Sequence, residues 1–99
     1  MFYEIVTIPI KPDTHAAFEA AIAQAVPLFQ RSRGCRALRL ERSIECPDTY
    51  KLVITWETLE DHTVHFAASE EVQLFRNLAG GFVAGPTHME HVRTVLTGF

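Results

Sequence analysis

The chain has 99 residues, a formal net charge of −3 and no stretch dense in Lys or Arg, so it has nothing with which to neutralise a phosphate backbone, and nucleic acid is not an expected partner. No apolar run approaches the ~20 residues of a membrane-spanning helix, and Met1-Phe2-Tyr3-Glu4 places no basic region ahead of an apolar core, which predicts a cytoplasmic protein with no membrane partner. A chain this short buries only roughly 60 to 70% of its unfolded surface, yet 47% of its residues are hydrophobic and 21% charged. A second copy of the chain would explain that excess.

Phe2 to Ile10 is dense in β-branched and aromatic residues, is closed by Pro9 and Pro12, and predicts strand 1. Asp13 is a plausible N-cap for helix 1. After it Phe18, Ala21, Ile22, Ala25, Val26 and Phe29 recur at helical spacing until Gly34, with Arg31 and Arg33 in the last turn. Pro27 lies inside that helix, where it removes a hydrogen bond and clashes with the Ala23 carbonyl, so a kink or a break is expected.

Cys35 to Ser43 alternates, with Leu38, Leu40 and Arg42 on one face and Ala37, Arg39, Glu41 and Ser43 on the other. Cys46-Pro47-Asp48-Thr49 reads as the turn of a hairpin into strand 3, Tyr50 to about Glu57. Here Tyr50, Leu52, Ile54 and Trp56 share one face, and Lys51, Val53, Thr55 and Glu57 the other. Thr58 with Asp61 resembles a capping box opening helix 2 through about Ala68. Ser69 with Glu70 and Glu71 resembles a new cap opening helix 3. Gly80-Gly81 and Gly85-Pro86 break the chain before a last strand, His88 to Leu96.

The order β-α-β-β-α-α-β has no repeat and no linker. It predicts one α+β domain over residues 1–99: a four-stranded antiparallel sheet of the ferredoxin-like, split βαβ kind with helices on one side. Apolar residues on the second face of that sheet need cover. Pairing of two sheets into a homodimer is the simplest cover, because the chain has no spare helix.

Cys35 and Cys46 could form one disulfide, but nothing else suggests a secreted scaffold, and two free thiols are expected. No phosphate loop, nucleophile elbow or Cys/His nucleophile pair occurs. What remains is a cluster running from the end of strand 3 into helices 2 and 3: Trp56, Glu57, His62, His65, Phe66, Phe75 and Arg76. His62 and His65, at i and i+3, would lie on one face of a helix. Two such nitrogens could hold a metal only with a further ligand from His88, Glu90 or His91, and His88 and His91 point to opposite faces of a strand. Taken singly, a histidine here is more often packed or solvated, a lone Trp at a strand end more often core, and Arg76 more often at the surface. No metal and no cofactor is expected.

The segment Trp56-Glu57-Thr58-Leu59-Glu60-Asp61-His62-Thr63, with Gly34-Cys35 upstream, Phe66 and Ser69 after it, and Pro86 through Glu90-His91 near the end, resembles the antibiotic biosynthesis monooxygenase family. The resemblance implies a dimeric α+β barrel. It implies less about activity, because that barrel hosts quinone-forming monooxygenases, haem-degrading enzymes and members with no established reaction. The quinone-forming type uses an Asn, a Trp, a Tyr and an Arg, and these positions fall on Leu52, Trp56, His62 and Arg76. The Asn, Trp and His of the haem-degrading type fall on Thr7, Phe66 and Arg76, a poorer fit with no haem ligand on helix 3.

What the resemblance implies, then, is a cofactor-independent monooxygenase that oxidises a small aromatic substrate, such as a quinol, phenol or anthrone, with O₂. His62 would act as general base, Arg76 as the cation beside the phenolate and Trp56 as an apolar wall, with Leu52, His65, Phe66 and Phe82 against the substrate. A dimer that binds a small aromatic ligand without turnover is the alternative. A third reading is an accessory domain whose pocket is filled by its own side chains.

Overall fold

The computed structural model describes residues 1–99. The elements are β1 (Phe2–Pro9), α1 (His15–Gln30), β2 (Cys35–Arg42), β3 (Thr49–Trp56), a π-helix (Asp61–Phe66), α2 (Glu70–Ala79), a 3₁₀ turn (Gly80–Phe82) and β4 (His88–Val92). The strands form one antiparallel sheet in the order β2-β3-β1-β4, which is the expected ferredoxin-like α+β fold.

Register fixes what each face carries. Glu4, Val6 and Ile8 stand opposite Ile54, Leu52 and Tyr50 of β3, which in turn stand opposite Leu38, Leu40 and Arg42 of β2. Because side chains alternate across a strand, these residues share one face. They meet Phe18, Ile22, Ala25, Leu28 and Phe29 of α1, and the core forms between the two layers. The other face carries Tyr3, Ile5, Val53 and Thr55 at its centre and no helix. Val53 is buried but lies outside the core cluster.

Four sequence expectations change. Asp13 is not the N-cap of α1: it takes φ 63° in the preceding turn, and Thr14 holds the cap position without a side-chain cap bond. Pro27 does not break α1, which runs on to Gln30; Pro27 and Ala23 both lie on its exposed side, so the carbonyl freed by the missing N–H is left to water. Strand β4 ends at Val92 rather than Leu96.

The fourth change matters most for the site. The capping box forms as expected, with Asp61 N–H donating to Thr58 Oγ1 and Thr58 N–H donating to Asp61 Oδ2, each at 3.2 Å. The helix it opens is a π-helix, however, in which Ala67 N–H donates to the His62 carbonyl five residues back. Widening the turn breaks the i, i+3 relation of an α-helix. His62 therefore turns inward beside buried Phe66, while His65 is exposed.

Gly34 anchors this turn to the start of β2. It takes φ 74°, and a Cβ added to it would lie 2.0 Å from Asp61 Oδ2. Only glycine relieves both conflicts. Asp61 is itself buried and receives Arg33 Nε at 3.4 Å. Ser69 caps α2 as expected, its Oγ accepting from Val72 N–H at 3.2 Å.

Candidate functional site

Between the sheet and α2 lies a cavity of about 200 Å³, walled by Val6, Leu52, Ile54, Phe66, Val72, Phe75 and Met89 and polar only at Glu4, His62 and Arg76. A second compartment of about 210 Å³ shares Val6, Phe75 and Arg76 with it and continues toward Phe18 and Val83. A largely apolar pocket with a few convergent polar groups is the usual form of a small-molecule site.

The polar end is built from four elements. Glu4 sits on the inward face of β1, Trp56 at the end of β3, His62 on the π-helix, and His91 on β4 directly opposite Glu4. Trp56 is fully buried, and its Nε1–H donates to Glu4 Oε1 at 2.9 Å. His62 stacks on the indole, with centroids 5.4 Å apart and planes 16° apart. Its Nε2 lies 3.2 Å from Glu4 Oε1, and its Nδ1 is hydrogen-bonded to His91 Nε2 at 2.8 Å. His91 belongs to a different space: it lines an open surface groove of about 470 Å³ together with Phe2, Glu57, Leu59 and Arg93.

Burial sets the ionisation of these groups. Removal from water raises Glu4 above the usual carboxylate range, partly offset by the Trp56 hydrogen bond. Burial, helped by nearby His91, lowers His62 from 6.5 to about 4, so its imidazole is neutral at pH 7. Burial also pushes the Cys35 thiol up to about 11, against the hydrogen bond from the Ala37 backbone and with a smaller push from Glu4. Cys35 and Cys46 are both free thiols. Arg76 reaches the cavity from α2 and has no carboxylate partner.

Of the residues expected from sequence, Leu52, His62, Phe66 and Arg76 come together around the cavity. Trp56 is adjacent but lies behind His62, holding Glu4 rather than forming the wall. His65 points away into solvent, and Phe82 packs edge-on against Phe18, with centroids 6.1 Å apart, outside the lining of either compartment. Glu57 is exposed and pairs with Arg36. No three His, Cys, Asp or Glu side chains converge as metal ligands, the two nitrogens of His62 being turned to different partners.

Sequence reasoning missed Glu4. The signal was its parity with Val6, Ile8 and Ile10, which places one carboxylate in a row of inward-facing apolar positions.

Residues 1–79 match the profile of the family described as antibiotic biosynthesis monooxygenase. The chain is 34% identical over 95 residues, 96% of its length, to the whole of YczJ, an uncharacterised protein of Bacillus subtilis (strain 168). Its fold superposes with a TM-score of 0.93 on a Bordetella bronchiseptica structure bearing the same family name, at 45% identity, covering 96% of this chain and 97% of that one. SnoaB, a cofactor-independent oxygenase from Streptomyces nogalater, shares the fold at 13% identity and a TM-score of 0.79, over 98% of this chain and 95% of SnoaB. No helix is long and apolar enough to cross a membrane.

Proposed function

Since the chain belongs to the antibiotic biosynthesis monooxygenase family, we propose that it is a cofactor-independent monooxygenase acting on a small aromatic substrate that ionises readily, such as a quinol, phenol or anthrone. The observation that carries this reading is that Arg76, exposed and without a carboxylate partner, borders the same largely apolar pocket as the Glu4/His62 pair. Arg76 stabilises a phenolate, since a cation close to a phenol favours its charged form. The hydroxyl proton leaves by way of the Glu4/His62 pair. The electron-rich anion then reduces O₂ directly: one oxygen atom enters the ring, the other leaves as water, and all the electrons come from the substrate. No metal, flavin or haem takes part.

The enzyme acts as a homodimer in this reading, with a second copy on the bare sheet face around Ile5 and Val53. Light scattering should give twice the 11.2 kDa chain mass; a monomer removes this part of the proposal.

The test of function is oxygen uptake with a panel of quinols, naphthalenediols and anthrones, using protein shown by elemental analysis and visible spectroscopy to carry no metal, flavin or haem. Turnover that falls in Arg76→Ala and His62→Ala, both still folded, supports the reading; equal rates in all three proteins remove the assigned roles. One observation favours a second reading. Leu52 stands on the cavity wall where the quinone-forming pattern has an Asn, which suits a dimer that binds an aromatic ligand without oxidising it. Binding with no uptake across the panel selects that reading.

A further inference from the structure

Neither ring nitrogen of His62 is free for a ligand: Nδ1 is bonded to His91, and Nε2 lies against Glu4 Oε1. A proton arriving from the cavity therefore has to come through one of these partners, and only Glu4 lines the cavity. Glu4 Oε1 is occupied by Trp56 and His62. Its Oε2 makes no hydrogen bond and keeps some accessible surface, on a side chain that lines the pocket.

At the other end, His91 is exposed and lines the surface groove, while His62 lines the cavity and not the groove. The three side chains thus join the pocket beside α2 to the surface groove.

We propose that Glu4 is a catalytic carboxylate that takes the substrate's hydroxyl proton, and that His62 and His91 conduct it to solvent. The inference rests on the monooxygenase reading for its substrate. In the step, the substrate O–H bond breaks and Glu4 Oε2 gains the proton, leaving a phenolate opposite Arg76. The Glu4 carboxyl then turns to bring its proton to His62 Nε2 while His62 Nδ1–H gives one to His91 Nε2 and His91 releases its Nδ1 proton to water, after which both rings flip to restore their starting tautomers. Nothing is oxidised or reduced in this transfer. The 3.2 Å approach of His62 to Glu4 is of the loose kind that tightens when substrate binds. Burial brings the two proton affinities toward each other, raising that of Glu4 and lowering that of His62. The groups facing Glu4 are Trp56 on β3, His62 on the π-helix, His91 on β4, Arg76 on α2 and Cys35 on β2.

Two measurements test this. With a substrate that is turned over, Glu4→Gln should keep KM within about threefold and lower kcat by the roughly 10² to 10⁴-fold of a lost general base. His91→Ala should lose less and recover in imidazole buffer, which replaces a proton carrier but not a packing contact. Unchanged kcat in Glu4→Gln, or no imidazole rescue of a slowed His91→Ala, overturns the proposal.

The second measurement needs no turnover: ring ¹⁵N shifts of His62 and His91 followed against pH. One common step at the raised Glu4 ionisation should appear in both rings and vanish in Glu4→Gln. If that step is missing in the wild type, the connection does not exist. If it is present while no substrate is oxidised, the monooxygenase reading has failed and the proton path has not.

Discussion

The two ends of the sheet–helix interface are built on the same strands and have opposite characters. At one end Ile8, Ile10 and Tyr50 meet Phe18 and Ile22, all buried, with the Tyr50 hydroxyl donating to Glu19 at the margin. At the other, the same inward row of β1 continues through Val6 to Glu4, and the π-helix and α2 border a pocket that carries Glu4, His62 and Arg76, whereas the compartment that reaches Ile8 and Phe18 carries neither Glu4 nor His62. The difference lies in the cover. A regular α-helix presents a continuous apolar stripe and packs densely, whereas the widened turn presents one imidazole and one phenyl ring and leaves space beside them.

The sharpest contrast should come from truncating an aromatic ring at each end. Phe18→Ala, at a site with no accessible surface, should cost about 3 to 5 kcal/mol in urea unfolding. Phe75→Ala, on a half-buried ring that already borders open volume, should cost clearly less. Equal losses would mean that the cavity end is packed as tightly as the other.

Gly34→Ala attacks the cavity end through its anchor. It forces a side chain into positive φ and onto Asp61, so it should destabilise by more than about 1 kcal/mol. It should also shift the His62 and His91 ring resonances while leaving those of Tyr50 in place.

The ends should also separate by pH. His62 is lowered from 6.5 to about 4 in the fold, so below 6.5 the unfolded chain binds the extra proton and stability is lost as pH falls from 6.5 through about 4. Glu4, raised in the fold, opposes this by losing stability as pH rises through its own ionisation. His62→Asn should remove the first slope, read from urea midpoints at several pH values. The smallest effect expected is that of Ser69→Ala, about 1 kcal/mol from the lost α2 cap; the loss should leave the His62 titration unmoved.

Much of this fold was legible because its signals are local. Strand alternation placed Tyr50, Leu52, Ile54 and Trp56 together, and Thr58/Asp61 and Ser69 marked both caps correctly. What was hidden depends on geometry that a 3.6-residue period presupposes. The reading that put His62 and His65 on one face fails only because the turn is π-helical, and no residue pattern announced that. The break expected at Pro27 did not form for a related reason: its cost depends on whether the freed carbonyl meets water, which is settled by the side of α1 that packs. Glu4 was visible by parity but was not singled out, because its partners Trp56, His62 and His91 come from three distant segments.

The central claim is that the space beside Glu4, His62 and Arg76 receives an aromatic ligand. Titrating ¹⁵N-labelled protein with a naphthalenediol tests it most directly, through backbone and imidazole shift changes. The account predicts saturable changes confined to Glu4, Leu52, His62, Val72, Phe75, Arg76 and Met89, and their loss when Val72→Phe fills the cavity. Changes confined to the bare sheet face around Ile5 and Val53, or none up to millimolar ligand, would contradict it.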